Sequence, residues 1–365
     1  MARIGTFEIL ARSRDGRARA GVLHTAHGPL ETPAFMPVGT QASVKSLMPS
    51  DLARIRPSCV LANTYHLSVR PGAPRVERLG GVHRMMGWQG PMLTDSGGYQ
   101  VFSLSALRSL DDNGATFTSP LDGRKRRFTP ASVVRRQEQI GADIIMQLDE
   151  CVGAAVGRDE AERALARTNR WAAQSLRARR RDDQLLFAIV QGGMFPELRS
   201  RAVSELAELP FPGFAIGGLS VGEPRALTDG LVDLCAGRLP EDRPRYLMGV
   251  GEPDQLQAYA QLGVDMFDCV MPTRLGRSGY AFSPGGRLNL NRPVCRDVCD
   301  PIDRGCGCLT CAQYTQSYLH QLLRGGEPLG ARLVSVHNVT YLVNLLRRLR
   351  QSILDEADED RSLRR

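Results

Sequence analysis

The chain has 365 residues, 42% of them apolar and 24% charged, which is the balance of a globular protein with a sizeable core and excludes a disordered or fibrous one. No apolar stretch is long enough to span a bilayer and no signal-peptide pattern opens the chain, so no membrane partner and a cytoplasmic location are expected. The net charge of +8 is carried almost wholly by arginine, with Lys45 and Lys125 the only lysines; it suits either a polyanion-binding surface or a plain compositional bias. Five of the nine cysteines fall between residues 295 and 311, a spacing that suggests a metal site more than a disulfide framework.

Residues 4–31 read as an antiparallel hairpin ahead of the main fold. From about residue 32 one grammar repeats: a short apolar run, a polar residue at its end, then a helical pattern. The runs are "TPAFMPVGT", "SCVLANTYHL", "GPMLTDSGG", "ADIIMQLDE", "LLFAIVQGG", "GFAIGGLS", "RYLMGVG" and "VDMFDCVMP". Such runs, apolar on both faces and bounded by turn residues, suit strands of a buried parallel sheet. After the third run, "TFTSPLDGRKRRFTP" reads as an inserted hairpin turning at Asp122-Gly123. In the helix that follows, Thr129 can cap, Pro130 suits the first position and Gly141 the stop. Gly-Glu-Pro occurs at 222–224 and again at 251–253, each ahead of a helix expected to end at Gly237 or Gly263.

Eight strand–helix alternations predict an α/β fold, a (β/α)8 TIM barrel, with a doubly wound open sheet as the alternative. The whole chain, 1–365, is then one barrel domain. A zinc-binding subdomain, 292–340, is inserted between strand eight and the last helix. That helix carries Leu342, Leu345, Leu346 and Leu349 on one face, and the charged tail "DEADEDRSLRR" is expected to fray.

In a barrel the strand C-termini converge on one mouth. In chain order they bring Asn63, Asp95, Asp149, Gln191, Gly218, Gly249 and Asp268 there. Two close carboxylates can divide labour at an anomeric carbon, one as nucleophile and the other exchanging a proton. The glycine pairs in "DSGGYQ", "VQGGM" and "AIGGLSVGE" let a flat heterocycle approach the backbone. Guanine fits, its two donors meeting a carboxylate such as that of Asp149 and its acceptor an N–H of Gln191 or Gly218. "RGCGCLTC" supplies three zinc ligands, Cys306, Cys308 and Cys311; the fourth could be His337, His320, Cys295 or Cys299, and the metal should be structural. Arg274 and Arg277 follow the eighth strand, where they could meet phosphates or pair with Asp268 or Asp95.

Together with "LANTYHL", "DSGGYQVFSL", "QLDEC", "YLMGVGEP" and "FDCVMPTR", these motifs make the chain resemble the bacterial tRNA-guanine transglycosylases along nearly its whole length. The resemblance implies a zinc-bearing (β/α)8 barrel that replaces guanine at the wobble position of queuosine-type tRNAs by 7-aminomethyl-7-deazaguanine. It implies Asp268 as nucleophile and Asp95 as proton acceptor. Base contacts would come from Asp95, Ser96, Gly97, Gly98, Tyr99, Asp149, Cys151, Gln191, Gly218, Leu219 and Met248, with Tyr99 and Met248 sandwiching the ring. RNA contacts map to Gly249, Val250, Gly251, Glu252, Pro253, Asp254 and Gln255, and to Thr273, Arg274, Leu275, Gly276 and Arg277. The zinc ligands become Cys306, Cys308, Cys311 and His337. A homodimer is implied too, through Tyr314 and Tyr318, although Gln321 and Leu275 depart from the family's usual residues.

Overall fold

The computed structural model describes residues 3–103, 108–120 and 122–363. The N-terminal segment is three strands where a two-stranded hairpin was expected: β1 (Phe7–Arg12), β2 (Arg19–Thr25) and β3 (Gly28–Thr32) form an antiparallel sheet in that order. The extra strand is short, with Gly28 at a φ of +112° in the tight turn that makes it.

The eight apolar runs all become strands of one parallel sheet. They are β4 (Ala34–Pro37), β5 (Val60–Asn63) and β6 (Met92–Asp95), then, beyond an insertion, β10 (Ile144–Met146), β11 (Leu185–Val190), β12 (Phe214–Ile216), β13 (Arg245–Leu247) and β14 (Met266–Cys269). The insertion is β7 (Arg108–Asp111), β8 (Gly114–Thr118) and β9 (Lys125–Phe128), antiparallel and one strand larger than the expected hairpin, with Gly123 in the turn at φ +68°. The spatial order is β4-β14-β13-β12-β11-β10-β6-β5, and a parallel bridge from Val38 to Leu61 joins the two ends into a barrel.

Side chains alternate across this sheet, as a pleat requires. Met36, Leu61, Leu93, Ile144, Met146, Phe187, Ile189, Tyr246 and Met266 share the barrel interior, while Val60, Met92, Ile145, Leu186, Leu247 and Phe267 pack outward under the helices. Leu23 and Leu30 of the N-terminal sheet join the inner cluster and so plug the end where the strands begin. Two buried polar anchors lock this plug. Arg19 on β2 makes a fork to Asp265, just before β14, at 2.9 and 2.6 Å. Asp143, just before β10, accepts from the amides of His27 (3.0 Å) and Met92 (2.8 Å) and lies beside the stacked rings of His27 and His83. The opposite end, where strands finish, is left open for chemistry.

Helix Pro130–Ile140 starts and stops where its caps direct, with Thr129 accepting from the Ser132 amide and Gly141 in the left-handed region. Two other boundaries differ from expectation. Helix Arg225–Arg238 runs through Gly237, and the last helix, Pro328–Leu363, continues through the acidic tail. The tail does not fray because Arg14 gathers it: its amide donates to Glu356 (3.1 Å) and its guanidinium to Asp360 (3.0 Å) and Glu359 (3.2 Å). Ile353 is buried against Ala11, Ala18 and Ala20 of the N-terminal segment. Past β14, a short helix, Met271–Arg277, leads to a hairpin of β15 (Tyr280–Ser283) and β16 (Gly286–Asn289).

Arg19 and Asp265 are both almost fully buried, so removing one leaves an uncompensated charge in the interior. Arg19→Met should cost about 3–5 kcal/mol of unfolding free energy, read as a lower urea midpoint at unchanged slope.

Candidate active site

Neighbouring strands deliver the polar residues in register. Asn63 and Asp95 end β5 and β6 directly opposite each other. The Asn63 amide donates to Asp95 Oδ2 at 2.5 Å, and the Thr64 backbone N–H donates to Oδ1 at 3.1 Å. Asp268 is the third residue of β14, two after Met266, so the pleat turns it inward beside the same interior as Tyr246. Its Oδ1 accepts from the Tyr246 hydroxyl at 2.6 Å and the Gly249 amide at 2.9 Å. No described residue donates to Oδ2, which leaves that oxygen for a substrate.

Asp149, beyond the end of β10, is buried. It accepts from Ser96 Oγ at 3.1 Å and from Gln191 Nε2 at 2.7 Å. Gly98 and Gly218 are glycines for steric reasons: a Cβ on the first would come within 2.3 Å of Asp149 Oδ1, and one on the second within 2.3 Å of Gln191 Oε1. Oε1 itself is buried without a partner, an orphaned acceptor in a mouth that a ligand must complete. Met248 lies half-buried behind Gly217, and Tyr99 is 55% exposed at the rim. Cys151 and Leu219 are buried close by in sequence to the acids and glycines they follow, while Ser96 also caps the Gly98 amide and Gly97 sits against Tyr65.

Three carboxylates in one poorly hydrated mouth cannot ionise independently. Burial pushes Asp95 up to about 8, helped by the negative charges of Asp268 and Asp149 and resisted by the Thr64 N–H. Burial raises Asp149 and Asp268 as well, the first opposed by Gln191 and Ser96, the second by Tyr246 and Gly249. Burial and the adjoining Asp268 hold the Tyr246 hydroxyl protonated, well above its ordinary range, so it remains a donor.

The loops after β13 and β14 divide into surface and framework. Arg274 and Arg277 are exposed, and neither forms an ion pair among the described residues, so the alternative of a bridge to Asp268 or Asp95 is not realised. Between them Leu275 packs partly buried against the barrel's outer core, and Gly276 lies where a Cβ would come within 2.7 Å of the Ser335 backbone. Thr273 and Val250 are buried, and Gly251 abuts Cys269. Glu252 pairs with Arg287 and Asp254 with Arg225, Pro253 opens the next helix, and Gln255 reaches the Tyr259 hydroxyl.

Cys306, Cys308, Cys311 and His337 bring their ligand atoms within 4.8 Å of one another. His337 Nε2 lies 2.7 Å from the Phe282 carbonyl, which requires its proton there and leaves the Nδ1 lone pair facing Cys311 Sγ at 3.2 Å and Cys308 Sγ at 3.6 Å. Three thiols around one imidazole fit a tetrahedral metal ion with no open position. The rival ligands are otherwise engaged: His320 Nδ1 lies 2.8 Å from the Leu290 carbonyl, Cys295 faces the Asn289 carbonyl, and Cys299 is exposed.

Tyr246, Glu223 and Arg199 were not singled out from sequence. Tyr246 could have been, since it stands two residues before Met248 in a run where alternate residues face inward. Glu223 accepts from the Ser220 and Val221 amides at 2.5 and 2.9 Å and shapes the turn after Leu219.

A family model described as "Queuine tRNA-ribosyltransferase" matches residues 14–360. The chain belongs to that family. A queuine tRNA-ribosyltransferase of Moorella thermoacetica is 50% identical over 351 residues, 96% of this chain and 94% of the relative. One from Thermus thermophilus is 51% identical over 347 residues, 95% and 90% of the two chains, and one from Dehalococcoides mccartyi is 48% identical over 355 residues, 97% and 91%. Among the described residues no helix is long and apolar enough to cross a membrane.

His337→Ala should strip the purified protein of most of its bound metal, measured per chain by atomic emission, whereas His320→Ala should keep it.

Proposed function

We propose that the protein exchanges guanine at the wobble position of queuosine-type tRNAs for 7-aminomethyl-7-deazaguanine, by double displacement through a covalent Asp268–ribose intermediate. The observation that carries the reading is the meeting of Asp268, with one oxygen held and one free, and Asp95, a carboxylate held near neutrality, at one mouth. Family membership supports the overall reaction; the division of labour is inferred from the side chains.

Asp149 accepts from the N1–H and exocyclic amine of the base, while the Gly218 amide and the second N–H of Gln191 Nε2 face its carbonyl oxygen. Tyr99 and Met248 flank the ring. Asp268 Oδ2 attacks the anomeric carbon as the bond to guanine N9 breaks and its electron pair leaves with the base. The anionic base takes a proton from the protonated form of Asp95 and departs, leaving Asp95 ionised. The incoming base gives its ring N–H proton to Asp95 and attacks the same carbon, expelling the Asp268 carboxylate. Two inversions give retention. Arg274 and Arg277 neutralise phosphates of the splayed anticodon loop, so that the target base can leave its stack. The cysteine–histidine cluster would hold zinc, whose contribution is to secure the 292–340 subdomain of a single-domain barrel. We read the protein as cytoplasmic, and the stacked Tyr314 and Tyr318, with Tyr318 exposed, as part of a homodimer face.

Asp268→Asn should abolish the denaturation-resistant protein–RNA adduct formed with unmodified tRNA, while leaving tRNA affinity within about twofold. Exchange of labelled guanine by that variant at the wild-type rate would refute the covalent mechanism.

A carboxyl that must accept a proton works only when ionised. Burial and the Asp268 charge push Asp95 up to about 8 in the free enzyme. Esterification of Asp268 removes that charge but not the burial, so kcat/KM for the base should rise with pH through the range below about 8 and then level off. A profile already flat at pH 6 would remove Asp95 from the proton-accepting role.

A further inference from the structure

We propose that Arg199 is the positioning residue for the donor edge that reads the carbonyl oxygen of the base; the inference rests on the base-exchange reading above. Arg199 lies on helix Pro196–Ala207 and is completely buried. No carboxylate pairs with it among the described residues, an arrangement that costs free energy and calls for an explanation. Besides the Cys235 thiol, its partners are backbone carbonyls of the two glycine loops. Nε donates to Gly193 at 2.8 Å, and Nη2 donates to Gly217 at 3.0 Å and to Gly218 at 3.3 Å.

In a trans peptide the C=O and N–H point in opposite directions. Drawing the Gly217 and Gly218 carbonyls towards the guanidinium therefore turns the Gly218 and Leu219 N–H groups away from it. Neither N–H has a partner among the described residues. The free pair is sharply bounded: the Gly217 amide donates to the Val190 carbonyl at 3.1 Å, and the Ser220 amide is taken by Glu223. Two adjacent unpaired donors, backed by a buried cation with no direct ion pair among the described residues, form a small electropositive nest. The cation polarises both peptides and strengthens the donors at their far ends. Gly218 stands at φ +65° against the Gln191 amide, so the nest opens beside the residue that also holds Asp149. A carbonyl oxygen on a flat heterocycle is the acceptor this edge suits. Lysine could supply the charge but not the fork that holds both loops.

The test compares guanine with 6-thioguanine, which keeps the donors facing Asp149 but offers a weaker acceptor. Inhibition constants against incorporation of labelled guanine into tRNA are measured for wild type, Arg199→Met and Arg199→Lys, with near-UV circular dichroism to confirm native packing. Wild type should prefer guanine. Arg199→Met should weaken guanine by roughly tenfold and 6-thioguanine by less than about threefold, the size of one well-placed hydrogen bond, and Arg199→Lys should fall between them. Equal weakening of both bases, or none, would overturn the role assigned to Arg199 while leaving the base reading in place. If guanine failed to bind even wild type, the base reading itself would fall.

Discussion

Desolvation of three carboxylates in one half-dry mouth is the constraint around which the open end of this barrel is organised. Closing eight parallel strands forces Asp95, Asp149 and Asp268 into the same space, where none keeps its ordinary acidity. The protein answers with neutral donors rather than cations. Asp268 receives a hydroxyl and an amide, Asp149 a hydroxyl and a side-chain amide, and Asp95 a side-chain amide and a backbone N–H. Neutral donors favour ionised oxygens without locking them in ion pairs, which keeps the carboxylates available to a substrate. Asp95 carries the extra Coulombic load of both other acids and emerges as the group poised near neutral pH. A carboxylate intended only as a nucleophile would gain nothing from that position, whereas one that takes and returns a proton would.

Positive charge is placed where it acts through the backbone or at the surface. Arg199 sits behind the glycine loops and works on peptide dipoles, not on the acids. Arg274 and Arg277 stand outside the mouth on a helix whose inner face, at Thr273, Leu275 and Gly276, is packed. An arginine inserted directly among the three acids would lower all their affinities for protons together and erase the differences between them.

Much of this was legible in the sequence because a parallel barrel writes its strands plainly. Runs buried on both faces are apolar throughout, and the polar residue ending each run marks the mouth. Asp95, Asp149, Gln191 and Asp268 were found that way, and the cysteine spacing pointed to a metal with its fourth ligand open between histidines and cysteines. Other features depend on long-range partners that no local pattern encodes. The tail reads as a fraying polyanion until Arg14, 342 residues distant from Glu356, folds against it. The third N-terminal strand is short and polar on one face, and only its seat on the barrel floor makes it a strand. Helix Arg225–Arg238 ends one residue past Gly237, because Gly237 keeps a helical φ instead of the left-handed one by which glycine terminates helices. Arg199 was hidden for the opposite reason: in an arginine-rich chain one more arginine on an amphipathic helix looks like surface. Leu275, puzzling beside two arginines, is the buried side of their helix.

The last helix ties the metal cluster to the mouth, and this gives a closed metal site a place in the chemistry without any contact with substrate. His337 supplies the imidazole, and the next residue, Asn338, donates to the Pro272 and Tyr280 carbonyls at 3.0 and 2.8 Å while accepting from the Phe282 amide at 2.9 Å. Pro272 opens the helix that bears Arg274 and Arg277, and Ser335 meets Gly276 within it. The same long helix reaches the barrel floor, where Arg350 donates to the Gly21 and Thr32 carbonyls at 2.8 and 2.6 Å. A metal that fixes His337 therefore fixes the register of this helix against the segment leaving β14. That segment begins at Asp268, the nucleophile proposed above, and ends with the arginines, so its placement sets the distance between the Asp268 carboxylate and those charges. Zinc is suited to that task because it is redox-inert and, with four protein ligands, offers no site for competing chemistry.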